Sequence, residues 1–257
     1  MKDESPRTRT TPVLILALML AACSNDAPRD APSGSGTAAT SAPSERSGGP
    51  ASCDGLSLTE GAAIVGDDLG RCIVDYLAFA GSGASHTTSE TASSRMVWRM
   101  GDGYEAYAEL DSGVRMTTTG DRSWVDFDGT GWVEADPATP GMDVAFGIVE
   151  AWREASAPAL TRRMIAAAPV WTVGPSRSVD LPDGTSRTLV EVTASAPFDW
   201  SGATISAMTL WMDAPGRIIL QVVTAGAAGH SATSTTHFTQ WGGAVEIPDP
   251  AAGAGAR

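Results

Sequence analysis

Positive charge is scarce in this 257-residue sequence, which has 17 Lys and Arg against 30 Asp and Glu and a formal net charge of −13. Lys2 is the only lysine, so every later cationic side chain apart from histidine is an arginine. An acidic protein repels phosphate groups, which argues against a nucleic-acid partner and against electrostatic docking on anionic headgroups.

Long apolar runs and catalytic motifs are also missing. The run from Pro12 to Met19 is far shorter than the ~20 residues that a membrane-spanning helix needs. No Gly-x-Ser-x-Gly, His-Glu-x-x-His or Cys-x-x-Cys motif occurs, and His86, His230 and His237 lack metal-ligand spacing. We therefore expect no enzymatic activity, no cofactor and no metal. A Ser/His/Asp set assembled from distant positions stays open, because such triads ignore sequence order.

The N-terminal segment has the pattern of a secretory signal peptide, with Lys2, Arg7 and Arg9 ahead of the apolar run. It ends in Leu20-Ala21-Ala22-Cys23, which resembles the lipobox of bacterial lipoproteins. The resemblance implies cleavage after residue 22, acylation of Cys23 and a lipid-anchored protein on the outer side of the cell membrane. An uncleaved signal anchor is the alternative. Residues 1–22 contribute +1, so the mature chain carries −14.

Composition divides the rest of the chain into three parts. After Cys23, residues up to 51 are rich in Ala, Ser, Pro, Gly and Thr and show no apolar period, which predicts a disordered tether. Residues 52–250 are long enough for one domain with its own core. Residues 251–257 form a loose tail of small residues.

Cys53 and Cys72 are the only cysteines after the anchor, and an even pair in an oxidising compartment predicts a disulfide. The capping-box pattern Ser57-Leu58-Thr59-Glu60 would start a helix near Leu58. If that helix ran unbroken to Cys72, it would carry Cys72 ~21 Å away from Leu58, whereas the chain from Leu58 back to Cys53 spans at most ~17 Å, so the two sulfurs could not meet. The disulfide therefore predicts a helix over roughly 67–79, with an irregular or short helical segment before it. Two buried free thiols are the alternative.

The sequence from Ser85 onward predicts short strands joined by tight turns. Gly101-Asp102-Gly103 and Gly120-Asp121 are hairpin signals, and short turns force neighbouring strands to be antiparallel. Asp126-Phe127-Asp128-Gly129 begins like a calcium loop but lacks its closing Glu, and a hairpin turn explains it better. Helices are predicted at Met142–Ala155 and Pro158–Ala167. The fold class is α+β.

Two strands carry stripes of large, soft side chains on one face. Met96, Trp98 and Met100 form one stripe, and Met208, Leu210 and Met212 form the other. Methionine recurs at surfaces that accept varied apolar partners, so these stripes are candidates for a cavity lining. Ordinary core residues are the alternative at each single position.

Several motifs together resemble the LolA/LppX/LprG-like lipoproteins, most of all their actinobacterial members. Besides the lipobox, they are Trp124-Val125 with Trp132-Val133, Leu210-Trp211-Met212-Asp213 with Gly216-Arg217, and the closing segment from Trp241 to Pro248. The resemblance covers roughly residues 66–250. It implies a curved antiparallel sheet, or half-barrel, with helices covering its concave face and a cavity that holds acyl chains in several members.

We therefore expect a membrane-anchored protein that binds or carries a lipid or other hydrophobic ligand between sheet and helices. The candidate cavity residues are Met96, Trp98, Met100, Trp124, Phe146, Met208, Leu210 and Met212. A solid-cored envelope interaction or sensor domain is the alternative, and it would expose an apolar patch instead of enclosing a cavity. A hydrolase ranks third.

Overall fold

One antiparallel sheet of thirteen strands organises the protein. A computed structural model describes residues 48–136, 143–227 and 229–250. The strands are β1 Ala63–Val65, β2 Ser82–Ser89, β3 Ser93–Met100, β4 Tyr104–Leu110, β5 Arg115–Thr119, β6 Arg122–Asp126, β7 Val133–Glu134, β8 Val170–Asp180, β9 Ser186–Ala194, β10 Phe198–Trp200, β11 Ala203–Ala214, β12 Arg217–Ala227 and β13 His230–Trp241.

The strand order is β1-β8-β9-β11-β12-β13-β2-β3-β4-β5-β6-β7, and β10 pairs with β11 beside this path. The sheet is open, because β1 and β7 are edges. β13, the last strand in sequence, pairs with β2, whereas β2 to β7 follow one another in a meander. The predicted curved antiparallel sheet with helices over its concave face is confirmed.

Three helices pack on this sheet: α1 Gly66–Ala80, α2 Asp143–Ser156 and α3 Pro158–Ala167. Each agrees closely with a helix predicted from sequence. α1 carries Asp67 and Asp68 in its first turn, where negative charge favours the positive end of the helix dipole. It ends at Gly81, whose left-handed conformation allows its N–H to donate to the Leu77 carbonyl at 3.0 Å.

Close approach of α1 and α3 depends on glycine. A Cβ added to Gly66 would lie 2.0 Å from the Ala168 carbonyl oxygen, and one added to Gly70 would lie 2.8 Å from that of Arg162. Arg162 also pairs with Asp67 at 2.9 Å, but both side chains are about half exposed, so this pair adds little to stability. Backbone contact, and not charge, therefore fixes the helix pair.

A disulfide joins Cys53 to Cys72, with their Cα atoms 4.8 Å apart. The geometry is possible because α1 begins only at Gly66, after a 3-10 turn at Ala51–Cys53 and the short strand β1. The bridge also touches the β11–β12 turn, where a Cβ on Gly216 would meet the Cys72 sulfur at 2.7 Å. The disulfide therefore staples the start of the domain to both α1 and the sheet.

Several predicted features lie outside the described residues: the signal peptide and lipobox with Cys23, most of the tether, and the tail at 251–257. Across the described ranges, no helix combines the length and the apolarity that crossing a bilayer requires.

Candidate functional site

A cavity of about 400 Å³ lies between the concave face of the sheet and the three helices. Its helical wall consists of Ile73, Leu77, Ile148, Ala151, Trp152, Ser156, Pro158, Thr161 and Met164. Its sheet wall consists of Ser85, Thr87, Ser94, Met96, Trp98, Tyr104, Ala108, Leu110, Met116, Ile218, Gln221, Thr236, Phe238 and Trp241. This volume is within the range of small-molecule sites in proteins.

No charged side chain is among the described residues that line the cavity. The lining is mostly aliphatic and aromatic, with hydroxyl groups and one amide as its polar part. Tyr104 belongs to this uncharged wall, because burial raises its pKa to about 12 although a hydrogen bond with Ser156 acts in the opposite direction. Its hydroxyl group therefore keeps its proton throughout the physiological pH range.

An aromatic cluster forms one end of the cavity. The Trp98 ring contacts Phe238 and Trp241 edge to face, at centroid distances of 6.0 and 5.7 Å. Trp98 lies directly over Gly83, because a Cβ there would meet the indole ring at 2.2 Å. The Trp241 indole N–H donates to the Ile218 carbonyl at 2.9 Å, whereas the buried Trp98 Nε1 has no hydrogen-bond partner among the described residues.

A polar row crosses the cavity floor. Strand register places Gln221 opposite Thr236, Thr236 opposite Thr87, and Thr87 opposite Ser94. These four residues, which we call the polar row, therefore lie side by side on β12, β13, β2 and β3. The Thr87 and Thr236 hydroxyl oxygens are 2.9 Å apart and share one hydrogen bond.

Small side chains alternate with large ones on the cavity floor and leave room beneath the helices. One row along from the polar row, Phe238 stands opposite Ser85, and Met96 stands between Ser85 and Ala108. Serine, threonine and alanine do not fill the space between sheet and helices. The neighbouring strands differ, because β11 supplies large residues that pack fully against α1 and α3.

Two of the eight candidate cavity residues line the cavity, and the other six lie elsewhere. Met96 and Trp98 line the cavity. Met208, Leu210 and Met212 are fully buried in the adjoining core.

The remaining three candidates lie elsewhere. Met100 packs against the cluster around Trp98, and Phe146 is half-buried on α2. Trp124 is buried and lies under the Arg122 guanidinium, 4.8 Å from the ring centroid. These six residues are not part of the cavity lining.

Residues that the sequence analysis did not nominate make up most of the lining. Ile73 and Leu77 belong to the apolar stripe of α1, and Ile148 and Trp152 to that of α2, so helical periodicity identifies them as inward-facing. The signal for the polar row is weaker. Its threonines occur in Ser/Thr-rich strands, and only the register reveals that they align.

The Asp126 turn is held by its own hydrogen bonds. The Asp126 Oδ1 accepts the Gly129 backbone N–H at 2.8 Å, and its other carboxylate oxygen pairs with Arg115. Burial alone would raise the pKa of Asp126, but Arg115 and the backbone donors lower it overall. In the described part of the chain, no three His, Cys, Asp or Glu side chains converge as a metal-binding group.

No model of a known protein family matches the chain, and no curated protein matches it. Among solved structures, it is similar to the crystal structure of LolA superfamily protein NE2245 from Nitrosomonas europaea, with 10% sequence identity. The match covers 72% of this chain and 96% of that chain, at a TM-score of 0.25. This score is too low for the likeness to indicate a function.

Proposed function

We propose that this protein is a membrane-anchored extracytoplasmic lipoprotein that binds or carries a lipid or another hydrophobic ligand in its cavity. The observation that supports this function best is the space of about 400 Å³ between sheet and helices, whose described lining holds no charge. Transfer of an acyl chain from water into such a space is favourable by about 25 cal/mol for each Å² of apolar surface removed from water.

The anchor is proposed from the N-terminal sequence. Leu20-Ala21-Ala22-Cys23 matches a lipobox, and a following tether of small and polar residues would hold the domain near the membrane but let it move. Two or more acyl chains anchor a protein firmly, whereas a single chain does so only marginally. Membrane attachment would then come from Cys23, and the cavity would be free to exchange its ligand.

Ligand binding is tested on a chain spanning residues 24–257, which retains every described contact. Native mass spectrometry after purification from a bacterial host should show a bound species, and circular dichroism should show a folded sheet. Ala151→Trp adds a large side chain from the helical wall and should remove the bound mass. Glu154→Trp is the matched control, because Glu154 lies on the exposed side of the same helix.

A bare mass for the unsubstituted chain, together with no uptake of added lipid, would overturn the carrier function and favour an interaction domain. The anchor has a separate test, which is incorporation of labelled palmitate by the full chain in a bacterial host. Cys23→Ser should lose the label, whereas Cys53→Ser should keep it. Labelling that survives Cys23→Ser would contradict the proposed attachment site.

A further inference from the structure

The polar row interrupts an otherwise apolar line of residues across the sheet. Leu210 stands opposite Gln221 at one end of the row, and Leu110 stands opposite Ser94 at the other. Across six neighbouring strands, the row therefore contains four polar residues with one leucine at each end. Polar groups inside an apolar site usually fix the orientation of a ligand and determine its specificity.

The polar row has hydroxyl groups that can still donate a hydrogen bond. The Thr87 and Thr236 hydroxyl groups share one hydrogen bond. One of their two hydroxyl protons forms this bond, and the other takes no part in it. Ser85 also lines the cavity and is 5% exposed. Polar groups inside an apolar site are normally satisfied, so the unused hydroxyl proton indicates a ligand that accepts hydrogen bonds.

Strand alternation keeps charge out of the cavity. His86, Arg95 and His237 are each flanked by cavity-lining residues on the same strand, so their side chains lie on the opposite face of the sheet. An ionised group buried without a partner is strongly disfavoured. A carboxylate or phosphate inside this cavity would find donors but no opposite charge, and the ligand group at the polar row should therefore be neutral.

Volume limits the number of chains. An apolar cavity of about 150 Å³ holds one benzene, or about 25 Å³ per carbon atom, so the volume of about 400 Å³ accommodates roughly 16 carbon atoms. One long acyl chain fits this space, whereas the two chains of a membrane phospholipid exceed the volume that the cavity can bury.

We propose that the cavity selects an uncharged single-chain lipid that carries a hydrogen-bond-accepting carbonyl group, such as a fatty ester or amide. The carbonyl group accepts hydrogen bonds at the polar row, and the chain extends towards the aromatic cluster around Trp98. This proposal rests on the proposed function, because it specifies the ligand of the same cavity.

The experiment compares ligands of one chain length on the chain spanning residues 24–257. N-phenylnaphthylamine, an uncharged fluorescent dye, fills the cavity and is displaced by methyl palmitate, palmitic acid or hexadecane, each supplied as its cyclodextrin complex. At about pH 8 palmitic acid is ionised. Methyl palmitate should bind at least tenfold more tightly than palmitate, and also more tightly than hexadecane.

A double variant tests the polar row directly. Thr87→Val with Thr236→Val keeps side-chain shape but removes both hydroxyls, and should reduce the preference for the ester over hexadecane by roughly threefold to tenfold. Thr88→Val with Thr235→Val is the matched control, because these neighbours lie on the opposite face of the same two strands. The control should keep the preference unchanged.

The outcomes separate this proposal from the carrier function. If neither the dye nor any of the three ligands binds, the carrier function fails and this proposal fails with it. If palmitate or hexadecane binds as tightly as methyl palmitate, the carrier function stands and the selectivity proposed here is wrong. Equal displacement by dipalmitoyl phosphatidylcholine, or an unchanged preference in the Thr87/Thr236 variant, would also overturn the selectivity alone.

Discussion

The two halves of this sheet share one backbone pattern but are filled differently. Under α1 and α3, the solid half is a continuous core in which Met208, Leu210 and Met212 are fully buried. The hollow half holds the cavity, which residues of all three helices wall, and its floor includes the small residues Ser85 and Ala108. Side-chain size along the strands therefore decides where this fold is solid and where it can admit a ligand.

The helices reinforce this difference. Gly66 and Gly70 allow α1 to contact the backbone of α3, and the Trp171 indole N–H donates to the Ile165 carbonyl at 3.1 Å, which closes the core from the sheet side. Gly147 on α2 faces open space, with no neighbouring atom within 4 Å of an added Cβ. Close backbone contact therefore fixes α1 against α3, whereas α2 has no such contact at Gly147.

The largest predicted effect compares two leucines at opposite ends of one sheet row. Leu210→Ala removes a fully buried side chain from the solid half and should lower the free energy of unfolding by about 2–5 kcal/mol. Leu110→Ala removes a half-buried side chain that already faces the cavity, and should cost about 1 kcal/mol. Urea unfolding of both variants measures the difference. Equal losses would show that the hollow half is as tightly packed as the solid half.

The solid and hollow halves also show which structural features sequence patterns can predict. Helical periodicity and the proline at position 158 predict α2 and α3 closely, and the Gly/Asp turns predict the meander. Strand alternation also identifies Met208, Leu210 and Met212 as sharing one face. It does not reveal what lies above that face, because the helix that covers each strand is fixed by contacts between residues far apart in sequence.

Some strand bounds and the polar row could not be predicted from sequence, because they depend on pairing between strands that are far apart in the chain. β1 lies before Ser85, where the predicted strand region begins, and the prediction gave no separate bounds to β2 or β10. β2 consists of small and hydroxyl-bearing residues with little apolar alternation, and it is a strand because β13 and β3 pair with it on both sides. The polar row arises from the register of four strands, and two of them, β12 and β13, come more than a hundred residues after β2 and β3.

A smaller effect is predicted from two helical glycines. Gly70→Ala places a methyl group 2.8 Å from the Arg162 carbonyl oxygen, so α3 must shift, at a cost of about 1–3 kcal/mol. Gly147→Ala meets no atom and should stabilise the protein by about 0.5–1 kcal/mol, since alanine loses less conformational freedom in a helix. Opposite signs in thermal or urea unfolding are expected. Stabilisation by Gly70→Ala would contradict the close contact of α1 with α3.

The smallest effect concerns the opposite face of the sheet, where His237 lies on β13 between residues that line the cavity. His237 is 4% exposed and stands between Leu220 and His86 on the neighbouring strands. Burial lowers its pKa below the ordinary value of 6.5, Asp183 acts against this shift, and Arg187 and His86 add to it. The folded protein therefore prefers the neutral imidazole.

Stability should consequently fall on the acid side of 6.5. As the pH drops through the unfolded value of 6.5 towards the lower folded pKa, the unfolded chain binds more protons at this site than the folded protein does, and the free energy of unfolding decreases. His237→Leu should flatten this part of the stability curve in urea unfolding. Binding of an uncharged ligand should not change over this pH range, because His237 faces away from the cavity. A pH-dependent affinity that disappears in His237→Leu would show that the two faces of β13 are coupled.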